Sequence, residues 1–147
     1  MRPTWDEYFL NIAEQIATRG TCDRARVGIV ITKEHRLLAC GYNGSPKGQP
    51  HCDEAGHELI DGHCVRTVHA EINAIIDAGL KGVSIIDGTV YCTVSPCYDC
   101  VKALINARVK RVVYRTFYDS RYGASIKALQ LLRDTGILVE HIQKSVL

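Results

Sequence analysis

The sequence predicts an α/β protein in which one sheet, its later strands parallel, carries helices on both faces. Two observations predict it. Two strand-like runs joined by a short polar link stand near the N-terminus, and after them segments of helical period alternate with short β-branched runs. At 147 residues the chain is expected to fold as one domain over 1–147, large enough to bury a real core.

Thr4 followed by Glu7 is a capping-box pair, and Trp5, Phe9, Ile12, Ile16 and Ala17 recur on one face until Gly20, predicting a first helix. VGIVI at 27–31 and RLLACGY at 36–42, joined by polar KEHR, predict a hairpin. From Asn43 to Arg66 no period appears, and a structureless stretch of that length in a compact domain is usually functional or held by something. HAEINAIIDAGLKG then places Ile72, Ile75, Ile76 and Leu80 at helical spacing. A strand is expected at 89–94. Ser95 as N-cap and Pro96 at the first helical position start a third helix at the cysteines. A strand at 109–116, a helix at 126–136 and a strand at 137–142 complete the order.

An apolar fraction of 46% and a charged fraction of 23% are those of a globular chain. The formal charge of +2 is too small for the broad basic footprint of a non-specific nucleic-acid binder, so a small-molecule partner is expected. No apolar run reaches bilayer-spanning length and the N-terminus lacks the apolar core of a signal peptide, so a cytoplasmic protein with no membrane partner is expected. Seven cysteines with six histidines, in a reducing compartment, read as metal ligands and buried thiols before disulfides.

Cys97 and Cys100 stand three apart at a helix start, where the helix dipole favours thiolates. With His69 as the imidazole they make a three-ligand zinc set that leaves a fourth position for water, the open geometry of a catalytic site. Glu71 is then placed to accept and return a proton. His-x-Glu alone is uninformative, and Cys-x-x-Cys alone could be a redox pair or half a structural site. Their conjunction, 69-HAE-71 with 96-PCYDC-100 on either side of one strand, is the pattern of zinc nucleobase deaminases.

On these residues, and on 41-GYNGSPKG-48, 51-HCDEAGHELIDGHCVRTVHAEINAI-75 and 92-CTVSPCYDC-100, the sequence resembles the cytidine and deoxycytidylate deaminase superfamily, most closely the deoxycytidylate (dCMP) deaminases. The resemblance implies a three-layer α/β/α fold with a five-stranded mixed sheet, and zinc-dependent hydrolysis of dCMP to dUMP and ammonia, supplying dUMP for thymidylate synthesis. It implies that His69, Cys97 and Cys100 hold zinc and that Glu71 shuttles the proton. Asn43 would bond the sugar, with Ala70 and Ser95 completing the substrate contacts; as a bare dipeptide, Asn43-Gly44 equally reads as a turn. In similar deaminases the loop that carries Gly41, Tyr42, Asn43, Gly44, Ser45, Lys47 and Gly48 helps form a regulatory site for dCTP, an activator, and dTTP, an inhibitor, with magnesium. Such regulated enzymes form homohexamers.

Cys22, Cys52, His57 and Cys64 could tie the long loop to the body through a second, closed structural zinc, with His63 a rival to His57. Cys40 and Cys92 lie inside apolar strands and are expected in the core. For a 5′-phosphate, Arg26, Arg121 and Tyr122 are the candidates, against the plain alternative of solvated surface charge. Two competing readings remain: a deaminase of free nucleosides or polynucleotides, and a non-catalytic zinc-stabilised interaction module. One Trp, two Phe and a nearly balanced charge weigh against a polynucleotide substrate.

Overall fold

The structure is a computed structural model and describes residues 1–119 and 123–144. Helix α1 spans Trp5–Ala17, and Thr4 Oγ1 accepts the Glu7 N–H at 3.1 Å. The Glu7 carboxylate does not close the reciprocal half of the box; it accepts from Arg115 at 3.1 Å. The buried face of α1 is Phe9, Leu10, Ala13 and Ala17, whereas Trp5 is exposed and stacks on His35 with ring centroids 4.4 Å apart. Strands β1 (Gly28–Lys33) and β2 (Arg36–Tyr42) form the expected hairpin, turned by Glu34 and His35, both at positive φ. The stretch without periodicity holds a one-turn helix α2 (Cys52–Ala55) and a short hairpin, β3 (Leu59–Ile60) with β4 (His63–Cys64). Then follow α3 (Ala70–Lys81), β5 (Thr89–Val94), α4 (Tyr98–Asn106), β6 (Arg111–Thr116), α5 (Ala124–Asp134) and β7 (Leu138–His141).

The main sheet has the order β2-β1-β5-β6-β7. β1 runs antiparallel to both neighbours and β5, β6 and β7 run parallel, so the sheet is five-stranded and mixed, as expected. Side chains alternate across it: Ile29, Ile31, Val90, Cys92 and Val112 pack with α3, α4 and α5, while Val30, Tyr91 and Val113 pack with α1. Both faces are therefore covered, which is why the central strands read as unbroken apolar runs rather than alternating ones. This is a three-layer α/β/α arrangement. No helix among the described residues is long and apolar enough to cross a membrane.

Three local expectations are corrected. The third helix begins at Tyr98 with Cys97 as its N-cap, not at Ser95. The Ser95 N–H donates to Thr116 O at 2.9 Å and its Oγ accepts the Tyr118 N–H at 2.8 Å, so Ser95 closes the β5–β6 end instead of capping a helix. On α3 the buried stripe is Ala70, Glu71, Ala74 and Ala78, while Ile76 and Leu80 are exposed. The cause lies on β2: a Cβ on Gly41 would stand 2.5 Å from both Ala70 O and Ala74 N, so helix and strand approach at a distance that admits only small residues. Cys92 is fully buried, but Cys40, on the edge strand, is only half-buried; its N–H donates to Asp77 Oδ2 at 3.0 Å, which covers one edge donor.

Candidate active site

The starts of α3 and α4 meet beside β5 and bring one group of donors together. His69 is the N-cap of α3, Cys97 the N-cap of α4, and Cys100 lies in the first turn of α4. His69 Nδ1 stands 3.4 Å from Cys97 Sγ and 3.3 Å from Cys100 Sγ. A tetrahedral zinc with bonds of about 2.3 Å to sulfur and about 2.0 Å to nitrogen requires donors about 3.5–3.8 Å apart, so the set fits zinc and supplies three ligands. Contact with the Cys100 thiol, and then with His69, pushes the Cys97 thiol down to about 4, the thiolate form a metal needs. The Glu71 carboxyl is buried behind the cluster and in hydrogen-bond contact with Cys100; burial pushes it above the usual carboxylate range.

A second group forms where the irregular stretch folds back on the body. Cys52 comes from α2, Cys64 from β4, His57 from between them, and Cys22 from the segment before β1, their donor atoms all within 4.8 Å of one another. Cys22 Sγ lies 3.5 Å from His57 Nδ1, and Cys52 Sγ 3.6 Å from Cys64 Sγ. His57 Nε2 is held by Asp23 at 3.0 Å, which fixes the ring with Nδ1 toward the sulfurs. Four donors at these separations suit a closed zinc site. His63 stands outside it.

Between the two groups runs a cleft of about 690 Å³, walled by Cys22 and Cys64 of one and by His69 and Cys97 of the other. That lies within the roughly 300–1,000 Å³ of small-molecule sites. Glu71, Asn43, Ala70 and Ser95 line it. Asn43 is buried and follows β2 without entering a turn; its Oδ1 accepts the Val27 N–H at 2.8 Å and its Nδ2 donates to Ala25 O at 2.6 Å. Arg26 does not line the cleft, because its Nε is turned to Gly20 O at 3.2 Å. Arg24 lines it instead. Arg121 and Tyr122 lie outside the described residues.

The residues expected around an effector do not share one surface. Gly41, Asn43 and Gly44 are buried, Ser45 is half-buried, and Tyr42, Lys47 and Gly48 are exposed. Gly44 bridges to Val68, just ahead of His69. Sequence reasoning missed Arg24, His63, Thr67 and Tyr118 at the cleft. For Arg24 a signal existed, since it stands two residues beyond a proposed metal ligand. For Tyr118, far along the chain from the other wall residues, none did.

A three-donor metal site with a buried carboxylate at the head of a ligand-sized cleft defines a metal-dependent hydrolytic centre. The chain belongs to the cytidine and deoxycytidylate deaminase family, whose zinc-binding-region model matches residues 3–116. It is 38% identical over 142 residues to ComE operon protein 2 of Bacillus subtilis, covering 97% of this chain and 73% of that one. It is 34% identical to the deoxycytidylate deaminase of Saccharomyces cerevisiae, but spans only 45% of that protein's length. Among solved structures, the dCMP deaminase of cyanophage S-TIM5 in complex with dCMP and dUMP aligns over 97% of this chain and 99% of its own, with a TM-score of 0.80 and 35% identity.

Proposed function

We propose that the protein deaminates dCMP to dUMP, acting as a single zinc-dependent domain over residues 1–147. One observation carries the reading: the Glu71 carboxyl is buried against the His69–Cys97–Cys100 cluster and still lines the cleft, a position without purpose in a structural zinc site. The names and bound ligands of the relatives above support the substrate. Zinc held by His69, Cys97 and Cys100 supplies Lewis acidity, lowering the pKa of water to about 7. Glu71 accepts one proton of the attacking water as its oxygen bonds C4, delivers it to the ring nitrogen N3, and then takes the remaining proton from the C4 hydroxyl and passes it to the departing amine as the C4 carbonyl forms, the C4–N bond breaks and ammonia leaves. Asn43, fixed through Val27 and Ala25, presents its remaining amide hydrogen toward the sugar. Ala70 and Ser95 border the base.

The same reading includes a second zinc on Cys22, Cys52, His57 and Cys64, a homohexamer in the cytoplasm, and control by dCTP and dTTP with magnesium through the exposed part of the 41–48 loop. The test is ammonia release by zinc-replete protein from dCMP and deoxycytidine side by side, with dCTP and magnesium present or absent. Glu71→Gln should keep its zinc and lose at least about 10²-fold in turnover. An interaction module would be indifferent to that change. Release of ammonia from neither compound would sink the substrate assignment.

A further inference from the structure

Two backbone carbonyls that share one donor each stand directly before a residue of the site. Tyr42, the last residue of β2, precedes Asn43, and Val68 precedes His69 at the head of α3. The side-chain amide of Asn73, one turn further along α3, donates to both: its Nδ2 lies 2.9 Å from Tyr42 O and 3.3 Å from Val68 O. An amide nitrogen carries two hydrogens, so each carbonyl takes one. The backbone N–H of the same residue donates to His69 O at 3.0 Å. Beside it an isolated antiparallel bridge pairs Gly44 with Val68, the Val68 N–H donating to Gly44 O at 2.8 Å. Asparagine is a poor choice inside a helix, because its side chain competes for backbone groups, yet Asn73 lies within the 12 residues of α3. What the position gains is the pair of bonds to the ends of two different elements.

From this juxtaposition we infer that Asn73 is a positioning residue: it holds Asn43, the sugar contact, and His69, the metal ligand, in one frame, so that a substrate anchored at its sugar presents its base in register with the metal donors and Glu71. The inference rests on the dCMP reading and deepens it. The sugar contact belongs to the end of β2 and the metal ligand to the start of α3, and a slide of one against the other moves C4 away from the reacting groups. A misplacement of about 1 Å can cost roughly 10²-fold in rate. A residue that served only to close the start of α3 would bond groups of that helix and the residue before it; Tyr42 O belongs to another element and adjoins Asn43.

The experiment compares the zinc-replete wild type with Asn73→Leu, which is similar in size and lacks both hydrogens, and Asn73→Asp, which keeps the shape. Asn73→Ser, which keeps one donor, takes their place if neither folds. Kinetics with dCMP are expressed per zinc held by His69, Cys97 and Cys100 and measured well below each variant's unfolding midpoint, so that a mere loss of folded protein does not register. On that basis kcat should fall roughly 10- to 100-fold, by more than KM rises. Independently of activity, that zinc should pass to a competing chelator at roughly 10-fold lower chelator concentration; its release is the step missing from His69→Ala. In an Asn43→Ala background the loss in kcat/KM should be smaller than in the parent, because Asn73 acts in part through Asn43. Wild-type kcat per zinc, unchanged zinc retention, or a loss that adds in full to that of Asn43→Ala each overturns the inference while leaving the dCMP reading intact. A wild type that does not deaminate dCMP removes both.

Discussion

Gly41 faces Ala70 and Ala74 across a gap that no side chain can enter, since a Cβ there would meet backbone atoms at 2.5 Å. Both neighbours belong to α3, whose first residues place His69 and Glu71. Gly41→Ala must therefore push α3 off β2 or strain it. Stability should fall by about 1–3 kcal/mol, read as a lower urea midpoint, and turnover should fall with it because Glu71, the proposed proton carrier, is displaced from the metal donors. A variant as stable and active as the parent would mean that the close approach is not needed. In the sequence this glycine reads as a ligand contact within GYNG. The two roles cannot be told apart there, since a nearby nucleotide and a nearby helix backbone both require the absence of a Cβ. His69, Cys97 and Cys100 were legible for the opposite reason: few residue types bind zinc, and their spacing limits how they can meet.

At the scale of elements, α1 is tied to the sheet by charge as well as by its apolar face. Asp6 accepts from Arg111 on β6 at 2.8 and 2.7 Å and from the Tyr91 hydroxyl on β5 at 2.7 Å, and Arg111 also reaches Glu140 on β7. The Arg111 guanidinium holds the Asp6 carboxyl below its ordinary value of 3.8. A carboxylate whose pKa is lower folded than unfolded adds stability that is present above the unfolded value and is lost as pH falls through the folded one. Asp6→Asn should accordingly cost about 2 kcal/mol near neutral pH, and the gap to the wild type should start to narrow as pH falls below the ordinary value of 3.8 and close only below the lower folded one. Denaturant titrations of both proteins at a series of pH values from 7 downward measure it; a gap that does not narrow at all as pH falls below 3.8 would mean that packing, not charge, is what Asp6 supplies. Nothing in the sequence pairs positions 6 and 111, because the contact exists only once the layers are assembled. The elements themselves were largely legible, since periods of 2 and 3.6 survive in a single chain. Which face of α3 is buried was not: the Ile and Ala stripes share one period, and the spacing to β2 chose the smaller.

Across the whole molecule, ligands that lie far apart in sequence are drawn to two clusters that share one cleft, and the segment 52–64 has little else to hold it. Its helix is a single turn, its hairpin pairs two residues on each side, and Leu59 and Ile60 are exposed. So small a body cannot offset its own ordering by apolar burial, which is why the sequence shows no periodicity there and why cysteines and histidines stand in its place. The order of metal loss should follow. Binding to the folded state alone adds about 4 kcal/mol when free zinc is a thousandfold above Kd, and a closed four-donor site concentrates that gain on the segment it ties down. Chelation of the purified protein should open 52–64 to protease before the sheet loses structure, and added zinc should restore protection. Limited proteolysis with the cut sites read by mass spectrometry, beside far-ultraviolet circular dichroism, measures both. Cleavage starting elsewhere, or a segment equally resistant without metal, would show that contacts with the body suffice and that the second cluster is not what orders this side of the cleft.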